Sequence, residues 1–295
     1  MADLTVIILT KNEEENLPKA LNSVKNIARD IIIVDSGSTD KTIEIAKKYG
    51  CRIFTHVWET YAKQFNWALE NIDIKTEWIM RLDADEYLTF ELSKEIEEKL
   101  DRLPKNINGV ILKRRLHFMG KWIKHGGIYP LYLLRIFRKG KGKVEEKIMD
   151  EHIVLFEGDT ITFKYDFIDE NNKPLRWWIE KHNWYSDREM YEILNLEFLK
   201  GSGILIEPNI FGDYNSRKRW LKEKIYLKFP IGFRAWLYYI YRMYFRLGFL
   251  DGKEGRIFHF MQAYWYRYLV DAKIFEYRKK NYSLEEIKRN IFKSL

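Results

Sequence analysis

Four short apolar runs in the first hundred residues, LTVIIL (4–9), IIIVD (31–35), RIFT (52–55) and EWIMRL (77–82), are separated by amphipathic stretches of helical period. This alternation constrains the chain more than any other feature. Runs that are apolar at every position suit strands buried on both faces, and parallel strands need crossover helices to join them. The pattern predicts an α/β architecture with a parallel sheet. Helix punctuation agrees: Asn16 precedes a helix with Pro18 in its first turn, Asp40 is placed to cap the next, and Gly50 sits where a left-handed residue closes it.

In open α/β sheets ligands bind in the crevice beyond the carboxyl ends of the strands. The polar clusters of this chain fall there. The first run ends in Thr10, Lys11, Asn12 and Glu13, the second in Asp35, Ser36 and Gly37, and the fourth in Asp83, Asp85 and Glu86. Three carboxylates this close repel one another, so they need a solvated turn or a bound cation. Asp83 and Asp85 straddle one residue, which lets both face one hard cation whose shell diphosphate oxygens would complete. For an isolated D-x-D pattern a solvated turn is the commoner outcome. Its place opposite two other polar strand ends favours the cation. Glu86 is expected to face a loop or an acceptor, or to be a surface acid flanking a helix. Asp35 is suited to accept a hydrogen bond from a nucleobase imide or a ribose hydroxyl, or else begins a turn. The residues after the first strand read TKNEEE rather than G-x-G-x-x-G, so a nicotinamide cofactor is not expected.

From about 107 to 165 the pattern changes to strand-like pieces, GVILKRRLHF, LYLLRIF and HIVLFEG, interrupted by the glycine-rich KHGGIYP and RKGKGK. After about 174 it turns helical. With 295 residues this predicts a catalytic domain over 1–173, its nucleotide half about 1–105 and its acceptor half about 106–173, followed by a helical region over 174–295. The single cysteine, Cys51, excludes a disulfide framework and suits a reducing compartment, so a cytoplasmic location is expected, and the N-terminus lacks the pattern of a signal peptide.

The last third carries the compositional oddities. Aromatic residues make up 16% of the chain and the formal charge is +8. Between Arg217 and Arg256 there are eleven lysines or arginines and eleven aromatics against three acids. Charges recur too often for a transmembrane helix. Arg234, Tyr238, Arg242 and Arg246 follow one another at i+4, and the segment suits a headgroup layer, with rings at the boundary and cations towards anionic lipid. The bland alternative is a helical subdomain with packed aromatics and solvated arginines. No RNP-type motif accompanies the segment, and nucleic acid is not expected as a partner.

The stretches VIILTKNEEENL, IIIVDSGSTDKT, KQFNWALE and WIMRLDADE resemble the successive signatures of family 2 glycosyltransferases with the GT-A fold. GKWIKHGGIYPLYLLRIFRKGKGK followed by DEH resembles, within that family, the lipopolysaccharide core β-1,4-glucosyltransferase branch. The resemblance covers residues 4–152. It implies an inverting hexosyltransferase with a UDP-sugar donor, glucose being the hexose of that branch, a divalent ion (Mg2+ or Mn2+), and a lipid-linked or lipopolysaccharide-type saccharide acceptor. It also implies work at the inner face of the cytoplasmic membrane in bacterial envelope glycan synthesis. Carried over by position, Thr10, Asn12 and Glu13 contact the nucleoside, Asp35 the uracil, Asp83 the ribose and metal side, and Asp85 the metal. Asn66 falls at a nucleotide or sugar contact, although many members have an arginine before that asparagine where this chain has KQFN. Glu151 is the first choice of general base and Asp150 the substitute, each with a salt-bridged loop acid as the bland alternative. His125 and Arg135 are expected at the acceptor side, where the glycines of KHGGIYP allow close approach. His152 is read as the start of a strand rather than a metal ligand. The rivals are a capsule or O-antigen transferase using another sugar, and a membrane-docked nucleotide-sugar-binding protein without turnover.

Overall fold

The computed structural model describes residues 1–146, 151–201 and 229–292. The chain forms two compact units, one of residues 1–124 and 128–173, the other of 125–127 and 174–295.

The first unit is built on a mixed sheet. Its strands and helices run β1 (Ala2–Thr10), α1 (Leu17–Val24), β2 (Ala28–Asp35), α2 (Thr42–Lys48), β3 (Arg52–Thr55), α3 (Tyr61–Asn71), β4 (Trp78–Arg81), β5 (Glu86–Leu88) and α4 (Phe90–Lys99). Then follow β6 (Ile107–Phe118), β7 (Lys121–Trp122), β8 (Leu131–Arg138), β9 (Gly142–Val144), β10 (Ile153–Leu155) and β11 (Asp159–Glu170). The sheet order is β3-β2-β1-β4-β8-β6-β11-β5, with β7 on β6, while β9 and β10 form a separate pair. The first four of these strands are mutually parallel, whereas β8 runs antiparallel to both β4 and β6. The α/β expectation holds, and each apolar run lies on one of β1 to β4.

Continuous apolarity has the reason the pattern suggested. Val6, Ile8, Ile31, Ile33, Trp78 and Met80 pack under α1 and α4 on one face. Their alternates Ile7, Leu9, Ile32, Val34 and Ile79 pack with Phe65 of α3 and with Phe137 on the other. Period-two alternation therefore feeds two cores at once. β1 lies between β2 and β4, so the crossovers leave it in opposite directions and open a crevice past its carboxyl end. Register brings Thr10 opposite Asp35 and Ile7 opposite Arg81, so the polar ends of β1, β2 and β4 share one edge.

The second unit comprises α5 (Leu175–Gly201), α6 (Phe233–Ile240), α7 (Gly252–His259), α8 (Tyr266–Lys280) and α9 (Leu284–Phe292). A π-helical turn over 241–245 and a short 3-10 turn over 248–251 link α6 to α7. α5 packs along α8, where the Tyr266 hydroxyl donates to Glu189 at 2.8 Å and Arg267 pairs with the same acid. The i+4 series of the tail does not present all its cations outward. Arg234 is buried and donates through Nε to both oxygens of buried Asp271, at 2.8 and 2.9 Å. Arg242 is buried too, donating to the Gly126 carbonyl at 3.1 Å and to Gln262. A buried guanidinium needs such partners, so these two arginines hold the helices together, and Arg246 alone of the three is exposed. Residues 217–228 of that basic stretch lie outside the described residues.

Candidate active site

The loops after β1 and β2 are sewn together by short polar side chains. Asn12 has a left-handed backbone (φ 56°), a conformation that asparagine tolerates better than most residues. Its Oδ1 accepts from the Thr39 amide at 2.8 Å, and its own amide donates to Ser38 Oγ at 2.8 Å. Asp35 is buried and accepts four hydrogen bonds: from the Thr10 and Ser38 hydroxyls on Oδ1, and from the Gly37 and Ser38 amides on Oδ2. A carboxylate has about four lone-pair sites, so the turn already satisfies this one. Of the two readings offered by the sequence, the structure displays the turn-former. An incoming imide N–H would have to replace one of these donors.

Beneath this loop Gln64, fully buried on α3, donates to Ser36 Oγ at 2.9 Å and to the His56 carbonyl at 3.2 Å, while its Oε1 lies 2.7 Å from His56 Nδ1. Lys63 instead points outward to Glu59.

Past β4 the charges interlock. Tyr61 on α3 donates its hydroxyl to Asp83, the Arg81 guanidinium lies 3.8 Å from the centre of the Tyr61 ring, and Arg81 Nε is 3.5 Å from Asp83 Oδ1. From the neighbouring strand β8, Arg135 pairs with Glu86 and stands 3.7 Å from Asp83 Oδ2. The Asp83 amide donates to Glu86 Oε2 at 3.0 Å. Burial alone would push the Asp83 carboxyl up, but the Arg81 and Arg135 guanidinia outweigh it and hold that carboxyl well below the usual range. Burial wins at Glu86, whose carboxyl is pushed up to about 8 against the pull of Arg135.

Two expectations change here. Arg135 is a buried strut bonded to Glu86, not an exposed cation awaiting an acidic acceptor, because β8 pairs with β4 and carries it into the sheet. Glu86 is neither a loop acid nor a surface acid: it opens β5, faces Asp169 of β11 in register, and is buried. The protein itself supplies the counter-charge that the acidic run seemed to demand from a bound ion.

Asp85 is set differently. It is half-buried, and its Oδ2 accepts from Asn171 Nδ2 at 2.9 Å. Glu13 lies close enough for their charges to interact, and burial, with a smaller push from Asp85, lifts the Glu13 carboxyl. Lys173 and Asn16 oppose that lift by donating to the two Glu13 oxygens, at 2.6 and 2.8 Å. Glu13 is thus part of a clamp between the ends of β1 and β11. No group of three or more His, Cys, Asp or Glu able to hold a metal occurs among the described residues. Mg2+ bound by one or two carboxylates, with substrate phosphates and water completing the shell, needs no such group. Asp85, with Asp83 beside it, fits that kind of site.

Asn66 departs from its expected place. Its Nδ2 donates to the Val144 carbonyl at 2.8 Å and its Oδ1 accepts from the Val144 amide at 2.9 Å. Both ends of the amide are spent on β9, so Asn66 anchors the β9-β10 pair to α3. We expect Asn66→Ala to leave two backbone groups without partners and to cost about 1–3 kcal/mol in urea unfolding, with UDP affinity unchanged. A loss of UDP affinity at unchanged stability would return Asn66 to the nucleotide site.

Glu151 stands next to the charge cluster: its carbonyl accepts from Arg81 Nη1 at 3.1 Å. Asp150 lies outside the described residues. His152 is exposed, with Nδ1 3.4 Å from Glu145 Oε1, immediately before β10. His125 belongs to the helical unit, where its amide donates to Asp251 Oδ2 at 2.9 Å and its Nδ1 lies 2.6 Å from Asp251 Oδ1. The close approach made at Gly126 is to the His259 ring, since a Cβ at Gly126 would come within 2.1 Å of it. His56, Tyr61 and Arg81 were missed by sequence reasoning. Arg81 had a signal, being the only charged residue within an otherwise apolar strand.

A family model described as glycosyl transferase family 2 matches residues 5–162, more than half of the chain. The chain belongs to this family. Its mixed sheet flanked by helices, with the parallel half carrying the polar strand ends, is the GT-A arrangement expected from the sequence. An uncharacterized glycosyltransferase of Rickettsia bellii is 47% identical over 94 residues, 32% of this chain and 31% of that protein. The lipopolysaccharide core biosynthesis glycosyltransferase LpsC of Rhizobium meliloti is 33% identical over 159 residues, 50% of this chain and 57% of LpsC. The chain thus spans about a third of the first relative's length and little more than half of the second's. A crystal structure of S. aureus TarS 1–349 aligns with a TM-score of 0.40 at 15% identity, covering 96% of this chain and 92% of that one.

Proposed function

We propose that this family 2 member is an inverting, metal-dependent glycosyltransferase that moves a hexose, in first place glucose, from a UDP-sugar to a lipid-linked or lipopolysaccharide-type saccharide. The observation that carries the reading is the pairing of an arginine-neutralised Asp83 with a half-buried Asp85 at the switch point of the sheet. The similarity to LpsC supports the acceptor class.

In this reading Thr10, Asn12 and Asp35 shape the nucleoside end of the crevice, and Asp35 takes the base imide by exchange with one of its present donors. Asp85, assisted by Asp83, would hold Mg2+ or Mn2+ on the donor diphosphate, where such an ion offsets the charge of the leaving group. Arg81 places a positive charge beside Asp83 and fixes the backbone of Glu151. Glu151 takes the proton from the acceptor hydroxyl as it attacks the anomeric carbon, with Asp150 the substitute.

No helix among the described residues is long and apolar enough to cross a membrane. We place the protein peripherally, on the cytoplasmic face of the membrane that carries its acceptor. Thermal unfolding with UDP, GDP or NAD, each with and without Mn2+, tests the donor assignment. A ligand that binds only the folded state at a hundred times its Kd adds about 2.7 kcal/mol of stability, and we expect that response from UDP with Mn2+ alone. An equal shift with all three nucleotides would remove the base-reading role from Asp35.

A further inference from the structure

Between the π-helical turn and α7, apolar side chains crowd the surface of the helical unit. Tyr244, Phe245, Leu247, Phe249 and Leu250, five of the seven residues over 244–250, are exposed, Phe245 to 76% and Leu250 to 54%. Single exposed apolar residues are ordinary, but contiguous groups mark interaction surfaces. The surface continues along α7 and just beyond it, where Lys253, Arg256, Ile257 and Phe260 are exposed at helical spacing while Gly255, Phe258 and His259 are buried.

This turn is braced from beneath. The Gly126 amide donates to the Arg246 carbonyl at 2.8 Å, and the buried Arg242 and Asp251 bond to Gly126 and His125. A Cβ at Gly248 would meet the His259 ring at 2.6 Å, so the backbone sits directly on that buried imidazole. Leu247, with φ 60°, turns the chain between the exposed residues. The apolar side chains are therefore displayed on a fixed backbone rather than on a frayed end.

We propose that this turn and the outer face of α7 form an interfacial anchor that sits in the headgroup layer of an anionic bilayer. Aromatic rings at the boundary, with Arg246, Lys253 and Arg256 beside them, match the chemistry of that layer. A second copy of the chain fits less well, because a two-fold contact through this patch brings the three cations of both copies into one interface. The proposal deepens the peripheral placement made above, and since vesicle binding needs no turnover, its failure and that of the transfer reading are separable.

The test is co-sedimentation of the full chain with phosphatidylcholine vesicles and with vesicles that also contain phosphatidylglycerol. The wild type should prefer the anionic vesicles, less so as salt rises. Phe245→Ser with Leu250→Ser, both at exposed positions, should keep the urea midpoint and weaken binding to either vesicle roughly a hundredfold. Arg246→Glu, Lys253→Glu and Arg256→Glu together should remove the anionic preference, at about fivefold per charge. The proposal is overturned if the wild type binds neither vesicle, or if the serine variant binds as the wild type does. Wild-type dimers that the serine pair dissolves, without any vesicle binding, would assign the patch to a second copy.

Discussion

Asp85→Asn is expected to abolish sugar transfer while leaving the fold intact. The amide keeps an oxygen for the Asn171 bond now made at 2.9 Å, so urea unfolding should shift by no more than about 0.5 kcal/mol. What it loses is the negative charge that would hold a divalent ion on the donor diphosphate. Such an ion supplies several kcal/mol of leaving-group stabilisation, which corresponds to a fall of about a thousandfold in kcat/KM. Asp83→Asn should behave otherwise, because that carboxylate is the meeting point of Tyr61, Arg81 and Arg135, and its loss should lower stability and transfer together. Measuring turnover against Mn2+ concentration for both variants separates the two roles. Near-normal transfer by Asp85→Asn at saturating UDP-sugar would end the metal assignment.

The parallel half of the fold was legible because its information is local. Ile31 to Val34 feed both cores by simple alternation, and strand ends carry their polar residues in sequence. The positions of Asp35, Asp83 and Asp85 on one edge followed from that alone. Their partners did not. Arg135 reaches Asp83 only because β8 turns back antiparallel onto β4, with Ile136 opposite Met80, a register that no local pattern encodes. Glu86, expected to face a loop or an acceptor or else to be a surface acid, is instead buried and paired in register with Asp169 of β11, some eighty residues on. The tail shows the same limit in another form: i+4 spacing identified a helical face at Arg234 and Arg242, but a periodic face does not say whether it turns inward. Asp271, 37 residues beyond Arg234, decides that.

Arg135→Ala should be the most destabilising single change at the candidate site. The guanidinium lies within the sheet, bonded to Glu86 and close to Asp83. Its removal takes the shared cation away from the buried Glu86 carboxyl and the half-buried Asp83 carboxyl. Removing one partner of a buried ion pair costs about 3–5 kcal/mol, most of it the penalty for the charge left behind. Arg135→Lys should recover only part of this, since an ammonium lacks the planar fork that serves two acids at once. The informative companion is Glu86→Gln on the Arg135→Ala background: with Glu86 neutral, one of the two repelling charges is gone. Burial holds the Glu86 carboxyl protonated near neutral pH while the unfolded chain ionises it, so that second change should give back little near pH 4, where both states are protonated, and more near pH 8. The signs follow from the shift, because a carboxyl raised in the fold loses stability as pH climbs from its unfolded value through its folded one. Urea midpoints for the cycle at the two pH values check this, and an Arg135→Ala cost below about 1 kcal/mol would show that Asp83 and Glu86 do not depend on this cation.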